Sequence, residues 1–137
     1  KLKIDYINSS PEKFKKEKKF DIILNLEVVE HVEDVNLYLS SCFNLLKENG
    51  IMFTATINRT LTSYIKAIVG AEYVLRWLPI GTHDWNKFLK PEELEKYLND
   101  LGLKTLNVKG LSFNPLLKKW RQSKNLSVNY IITCSKN

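Results

Sequence analysis

Two short apolar runs with one helical stretch between them constrain this chain more than any other feature. Phe20-Asp21-Ile22-Ile23-Leu24-Asn25-Leu26 and Ile51-Met52-Phe53-Thr54-Ala55-Thr56-Ile57 are compact and largely apolar. Each suits a strand buried on both faces, the kind found inside parallel sheets. Between them, Val35, Leu39, Cys42, Phe43, Leu45 and Leu46 recur at helical spacing over Asp34 to Glu48. Asn49-Gly50 is the expected stop of that helix. Strand, helix and strand with tight connections predict a right-handed crossover in an α/β sheet.

The rest of the chain extends that reading. Leu2 to Tyr6 alternates like a short strand, and Ser9-Ser10-Pro11-Glu12 is a helix start with a short basic helix after it. Leu61 to Leu78 is a long helix-compatible segment ended by Pro79-Ile80-Gly81. Lys90-Pro91-Glu92-Glu93-Leu94 opens another helix, with Leu94, Tyr97, Leu98 and Leu101 on one face and Gly102 as its stop. Leu103 to Val108 and Val128 to Cys134 read as strands, with Gly110 to Lys124 irregular between them. No repeat, low-complexity tract or linker divides the chain, so one domain is expected over 1–137.

Composition narrows the function classes. With 44% apolar residues the chain has the material for a folded core. The net charge of +6 is concentrated in Lys13, Lys15, Lys16, Lys18 and Lys19, and in Lys118, Lys119, Arg121 and Lys124 beside Trp120. Such runs can meet anionic lipid or nucleic acid, but solvated surface is the simpler reading. No nucleic-acid module is recognisable, so no nucleic-acid partner is expected. Cys42 and Cys134 lack metal-ligand spacing and are expected to be free buried thiols. The first residues are too short an apolar run for a secretory signal, and the missing initiator Met marks the chain as an expected excerpt.

The chemistry is expected in Leu26-Glu27-Val28-Val29-Glu30-His31-Val32, just past the first buried strand. In open α/β sheets the ligand crevice lies outside the carboxyl ends of the strands. Ionisable groups placed there are costly as packing residues. If Glu27 to His31 forms a helical turn, Glu27, Glu30 and His31 share one face at i, i+3 and i+4. Two carboxylates and an imidazole there can bind a divalent cation, or His31 can act as a general base oriented by a carboxylate. The plainer alternative is a polar helix start whose glutamates favour the helix dipole.

Phe20-Asp21-Ile22-Ile23 followed by Leu26-Glu27-Val28-Val29-Glu30-His31-Val32 resembles the fourth-strand motif of class I S-adenosylmethionine-dependent methyltransferases. More narrowly, the chain resembles the ubiquinone biosynthesis O-methyltransferase family. That likeness rests on Leu45-Leu46-Lys47-Glu48-Asn49-Gly50, Thr56-Ile57-Asn58-Arg59-Thr60 and above all Val69-Gly70-Ala71-Glu72-Tyr73-Val74-Leu75-Arg76. Gly81-Thr82-His83-Asp84-Trp85, Lys90-Pro91-Glu92-Glu93-Leu94, Gly110-Leu111-Ser112-Phe113-Asn114-Pro115 and Val128-Asn129-Tyr130 extend it over nearly the whole chain. The resemblance implies an α/β, Rossmann-like sheet of strand order 3-2-1-4-5-7-6. This chain would be its C-terminal portion, strands 3 to 7, with a helical insert after strand 5 at about 60–88. It implies Glu27, Glu30 and His31 as ligands of a divalent metal, Mg²⁺ first, and Leu26 as a residue lining the S-adenosylmethionine pocket. It also makes His31 the candidate catalytic contact to a ring hydroxyl, a role that competes with metal ligation; ligation is preferred.

The implied activity is S-adenosylmethionine-dependent O-methylation of a polyprenylated catechol or demethylubiquinol in ubiquinone biosynthesis. Leu61 to Leu78 carries Lys66, Glu72 and Arg76 among aliphatic and aromatic residues, which fits either a helix lying in a membrane interface or a lid packed on the sheet. The implied location is cytoplasmic and peripheral to the inner membrane, or the matrix side of the mitochondrial inner membrane. His83-Asp84 in the insert either lines the substrate site or anchors the loop. None of Gly50, Gly70, Gly81, Gly102 and Gly110 is clustered, so the glycine-rich cofactor turn of this fold is absent. The N-terminal half of the same enzyme is therefore an expected partner, and the chain alone is expected to be inactive and poorly stable, with one raw apolar sheet edge. The alternative is a non-catalytic remnant that serves as a membrane- or partner-binding module.

Overall fold

The computed structural model describes residues 2–14, 19–114, 117 and 119–137. The expected basic helix after Pro11 falls mainly on residues 15–18, outside the described residues, as do Pro115 and Lys118. Residues 11–13 form a turn.

Strand β1 (Phe20–Leu26) leads through helix α1 (Val35–Leu45) to the parallel strand β2 (Leu46–Ile57). This is the expected crossover. Asp34 caps α1, its carboxylate accepting from the Leu37 amide at 2.9 Å. The helix stops earlier than expected. Leu46 closes it by donating its amide to the Cys42 and Phe43 carbonyls, and already pairs with Phe20 in the sheet. Asn49-Gly50 is therefore not the helix stop; Asn49 instead adopts a left-handed φ of 60° within β2. Gly50 is required for a different reason: a Cβ there would lie 2.8 Å from Leu46 Cγ.

Helix α2 (Leu61–Ser63), capped by Thr60, runs into a wide-turned π-helical segment (Tyr64–Val74). Helix α3 (Pro91–Asp100) begins at its proline, and Gly102, at φ 87°, stops it as expected. Strand β3 (Leu103–Asn114) turns back into β4 (Lys119–Ser123), and β5 (Asn129–Lys136) inserts antiparallel between β2 and β3. The five strands lie in the order β1-β2-β5-β3-β4. Positions β1, β2, β5 and β3 reproduce the expected 4-5-7-6.

Three further expectations need correction. Leu2 to Tyr6 forms no strand, because an extended segment becomes one only when a neighbour takes its backbone groups, and none of the described strands does. Within the expected irregular stretch Gly110 to Lys124, Gly110 to Asn114 and Lys119 to Ser123 are paired antiparallel strands, with Gly110 paired to Ser123 and Phe113 to Trp120. The expected helix Leu61–Leu78 ends at Val74 and widens to i→i−5 bonding, as in Leu75 N–H donating to the Gly70 carbonyl.

The core lies between the sheet and α1 and α3. Leu39, Leu46, Leu94, Leu98, Tyr130 and Ile132 are fully buried there. Tyr130 satisfies its hydroxyl by donating to the Leu89 carbonyl at 2.9 Å. β1 is not buried on both faces as expected: on its other side Ile22, Leu24 and Leu26 share one face and are 56%, 61% and 52% exposed, so this edge of the sheet carries an open apolar surface.

Candidate active site

Residues 27–31 follow the carboxyl end of β1, beside that of its parallel neighbour β2, where the crevice of an open α/β sheet forms. The single helical turn expected over Glu27 to His31 is not formed. Glu27 adopts φ 55°, its amide donating to the Ala55 carbonyl at 2.9 Å, and only Val29–His31 form a short 3-10 turn. A left-handed glutamate costs about 1–2 kcal/mol, a strain that proteins concentrate at functional positions. The shared i, i+3, i+4 face is therefore replaced by three different settings.

Glu30 is buried, at 2% exposure, below the crevice. Its Oε2 accepts from Thr56 Oγ1 at 2.7 Å, whereas its Oε1 has no hydrogen-bond partner among the described residues. His31 is half-exposed, and its Nε2 is 4.0 Å from that unpartnered oxygen. Glu27 is exposed at the mouth, 3.5 Å from the Asn129 amide nitrogen. Desolvation by the surrounding protein, then the charge of Glu30, push the Glu27 carboxyl up to about 7. Leu26, the expected cofactor-lining residue, ends β1 beside Ala55 with its side chain open to solvent.

Thr56 and Asn129 are site residues that the motif reading did not single out. The available signal was the pair Thr54 and Thr56 inside an otherwise apolar strand. Both are fully buried and face the same side as Asn25, giving the helix-side face of β1 and β2 a polar end.

The insert supplies the remaining neighbours. His83 does not pair with Asp84. Its Nδ1 lies 2.9 Å from Glu72 Oε1, while Asp84 accepts from the Asn86 amide at 3.0 Å and starts a short 3-10 turn. The His83 ring lies 5.9 Å from the His31 ring and 5.8 Å from that of Phe88. Arg76 turns the chain at φ 51° beyond the π-helical segment.

Among the described residues, no three His, Cys, Asp or Glu side chains are placed to hold a metal ion as they stand. The donor chemistry nevertheless fits a hard cation. One oxygen of the Glu30 carboxyl group is buried without a hydrogen-bond partner among the described residues, which is unfavourable unless a positive group meets it. Two donors each about 2.1 Å from one ion lie at most about 4.2 Å apart, and the Glu30–His31 spacing of 4.0 Å is within that span.

A family model described as a methyltransferase domain matches residues 3–108. The ubiquinone biosynthesis O-methyltransferase of Pelagibacter ubique (strain HTCC1062) is 56% identical over 139 residues, covering 100% of this chain and 57% of its own length. The protein of the same name from Bartonella bacilliformis is 54% identical over 132 residues, covering 96% of this chain and 53% of its own. This chain thus spans about half the length of these curated relatives. A SAM-dependent methyltransferase from Archaeoglobus fulgidus has the same fold, with a TM-score of 0.67 at 18% identity over 95% of this chain and 66% of that one. The chain belongs to the methyltransferase-domain family, and it matches the C-terminal part of relatives named ubiquinone biosynthesis O-methyltransferase.

Proposed function

We propose that this chain is the C-terminal part of an S-adenosylmethionine-dependent O-methyltransferase acting on a polyprenylated catechol or demethylubiquinol of ubiquinone biosynthesis. The observation that carries the reading is the Glu27-Glu30-His31 group at the carboxyl end of the sheet, in a chain 56% identical to a relative of that name. Glu27, Glu30 and His31 would hold a divalent cation, Mg²⁺ first, and Leu26 would line the cofactor pocket. A bound cation would lower the pKa of a coordinated ring hydroxyl. The protein's own part is orientation: Thr56 fixes one oxygen of Glu30, and Asn129 and the strained Glu27 backbone set the second carboxylate. With ligation assigned to His31, no free-base role is left for it.

The open apolar face of β1 is where the N-terminal half of the same enzyme would join the sheet. Peripheral membrane contact at the inner membrane belongs to the same proposal. Val74, Trp77 and Ile80 in and after the π-helical segment are 70%, 60% and 62% exposed, an apolar surface suited to a bilayer interface near a polyprenyl substrate. No helix among the described residues is long and apolar enough to cross a membrane.

Calorimetric titration of S-adenosylhomocysteine, with and without Mg²⁺, tests the reading on this chain and on a form extended by an N-terminal half. Binding by the extended form, with its Mg²⁺ dependence lost in Glu27→Ala and His31→Ala, is the expected result. No binding by either form overturns it.

A further inference from the structure

The proposed cation site makes no use of Glu72 and His83, yet the insert spends a buried carboxylate on placing this histidine. Glu72 is 1% exposed, and its two oxygens meet three N–H groups. The Gly81 amide donates to Oε2 at 2.7 Å, the His83 amide donates to Oε1 at 3.0 Å, and His83 Nδ1 lies 2.9 Å from the same Oε1. Burial pushes the Glu72 carboxyl up, but the Gly81 amide and the His83 ring and amide outweigh it and hold it below the ordinary value. Glu72 is therefore ionised and can only accept, so the hydrogen it shares with the ring sits on Nδ1. With Nδ1 bonded to Glu72, Nε2 on the opposite edge is the ring nitrogen left for another partner.

Closing the 81–83 loop onto the π-helical segment needs only the two backbone amides. The third contact orients the ring. That ring packs edge-on against Phe88 at 72° and lies beside His31, so the insert holds an oriented imidazole at the edge of the carboxylate site. Neither residue is within the donor set assigned above to the cation.

We infer that Glu72 is a positioning residue, and that His83 Nε2 accepts a hydrogen bond from the substrate hydroxyl adjacent to the one that reacts, so that the insert selects a vicinal diol. This inference rests on the methyltransferase reading and adds a substrate contact to it. One hydroxyl is left for the carboxylate side of the site and its neighbour is read by the insert. A site built to pair a hydroxyl discriminates against analogues that lack it, because its own polar group is then left unmatched.

The test is calorimetric binding of 3,4-dihydroxybenzoate and of 4-hydroxybenzoate to the S-adenosylhomocysteine-bound protein, in the form that binds that ligand. His83→Phe keeps a ring against Phe88 and removes the acceptor. It should weaken the diol about tenfold, the effect of one hydrogen bond, and change the single hydroxyl by less than about twofold. Glu72→Gln should weaken the diol likewise, because an amide can present N–H to the ring and drive its proton to Nε2. Long-range proton–nitrogen correlation on the unsubstituted protein should find the neutral His83 protonated at Nδ1, a readout that needs no variant to fold. Diol binding insensitive to His83→Phe, equal losses for both phenols, or a neutral ring protonated at Nε2 overturns the inference alone. An unsubstituted, S-adenosylhomocysteine-bound protein that binds neither phenol overturns the inference, whereas loss of S-adenosylhomocysteine binding itself overturns the methyltransferase reading.

Discussion

Replacing Thr56 by Val probes the site through stability. Valine matches threonine in shape, so the substitution opens almost no cavity and removes one hydroxyl. That hydroxyl is the partner of Glu30 Oε2 at 2.7 Å, and the other oxygen of the same buried carboxylate has none among the described residues. A hydrogen bond to a charged group contributes about 1.5–3 kcal/mol, and at 2% exposure water does not replace it. The expected loss is about 2 kcal/mol. For a chain of 137 residues each kcal/mol shifts Tm by roughly 3–5 °C, so Thr56→Val should melt roughly 6–10 °C lower. Thr56→Ser retains the donor and should stay within about 1 kcal/mol of the original. In Glu30→Met the carboxylate is gone, and Thr56→Val on that background should be nearly neutral, giving a coupling of about 1.5–3 kcal/mol in the double-mutant cycle. Urea unfolding of the four proteins measures it. A Thr56→Val protein as stable as the original, or additive effects in the cycle, refutes the argument that the Thr56 hydroxyl holds the buried Glu30 side chain.

Glu27 predicts a pH dependence. Its folded value of about 7 lies above the ordinary 4.5, so the folded protein keeps a proton that the unfolded chain releases between those values. Stability from this group therefore falls as pH rises from about 4.5 to 7, and Glu27→Gln should flatten that slope in urea titrations. Because the side chain opens to solvent, the expected effect is about 1 kcal/mol rather than the ~3 of the full shift. Gly110→Ala would place a Cβ 1.8 Å from the Asn125 backbone carbonyl oxygen, so denaturant melts should show a loss of at least about 2 kcal/mol. On the membrane reading, Trp77→Asp should reduce sedimentation with anionic lipid vesicles about tenfold; unchanged partitioning would contradict an interfacial role for this exposed side chain.

Local pattern carried much of the fold. The crossover β1-α1-β2, the proline start and glycine stop of α3, and the strand order 4-5-7-6 all follow from apolar runs, helical spacing and resemblance to a known sheet. The missed hairpin β3–β4 illustrates a limit. Its Lys119-Trp120-Arg121-Gln122-Ser123 run has no buried face to impose alternation, and it becomes a strand only through pairing with Gly110 to Asn114. Leu2 to Tyr6 is the converse case, since its alternation is sound but no described strand lies beside it.

The residue types of the site were legible for the same local reason: glutamates and a histidine directly after a buried strand are expensive unless used. Their arrangement was not. A left-handed Glu27 arises from a backbone bond to Ala55, and Glu30 is oriented by Thr56, 26 positions away in sequence. The choice of Glu72 over Asp84 as partner of His83 likewise depends on where the π-helical segment ends and the loop returns. Periodicity and residue chemistry, which act over a few neighbours, thus determined the elements and the ingredients of the site from the sequence by itself. Which groups are buried, paired or left without a partner was decided only by the tertiary structure, because those properties depend on contacts between segments that are distant in the chain.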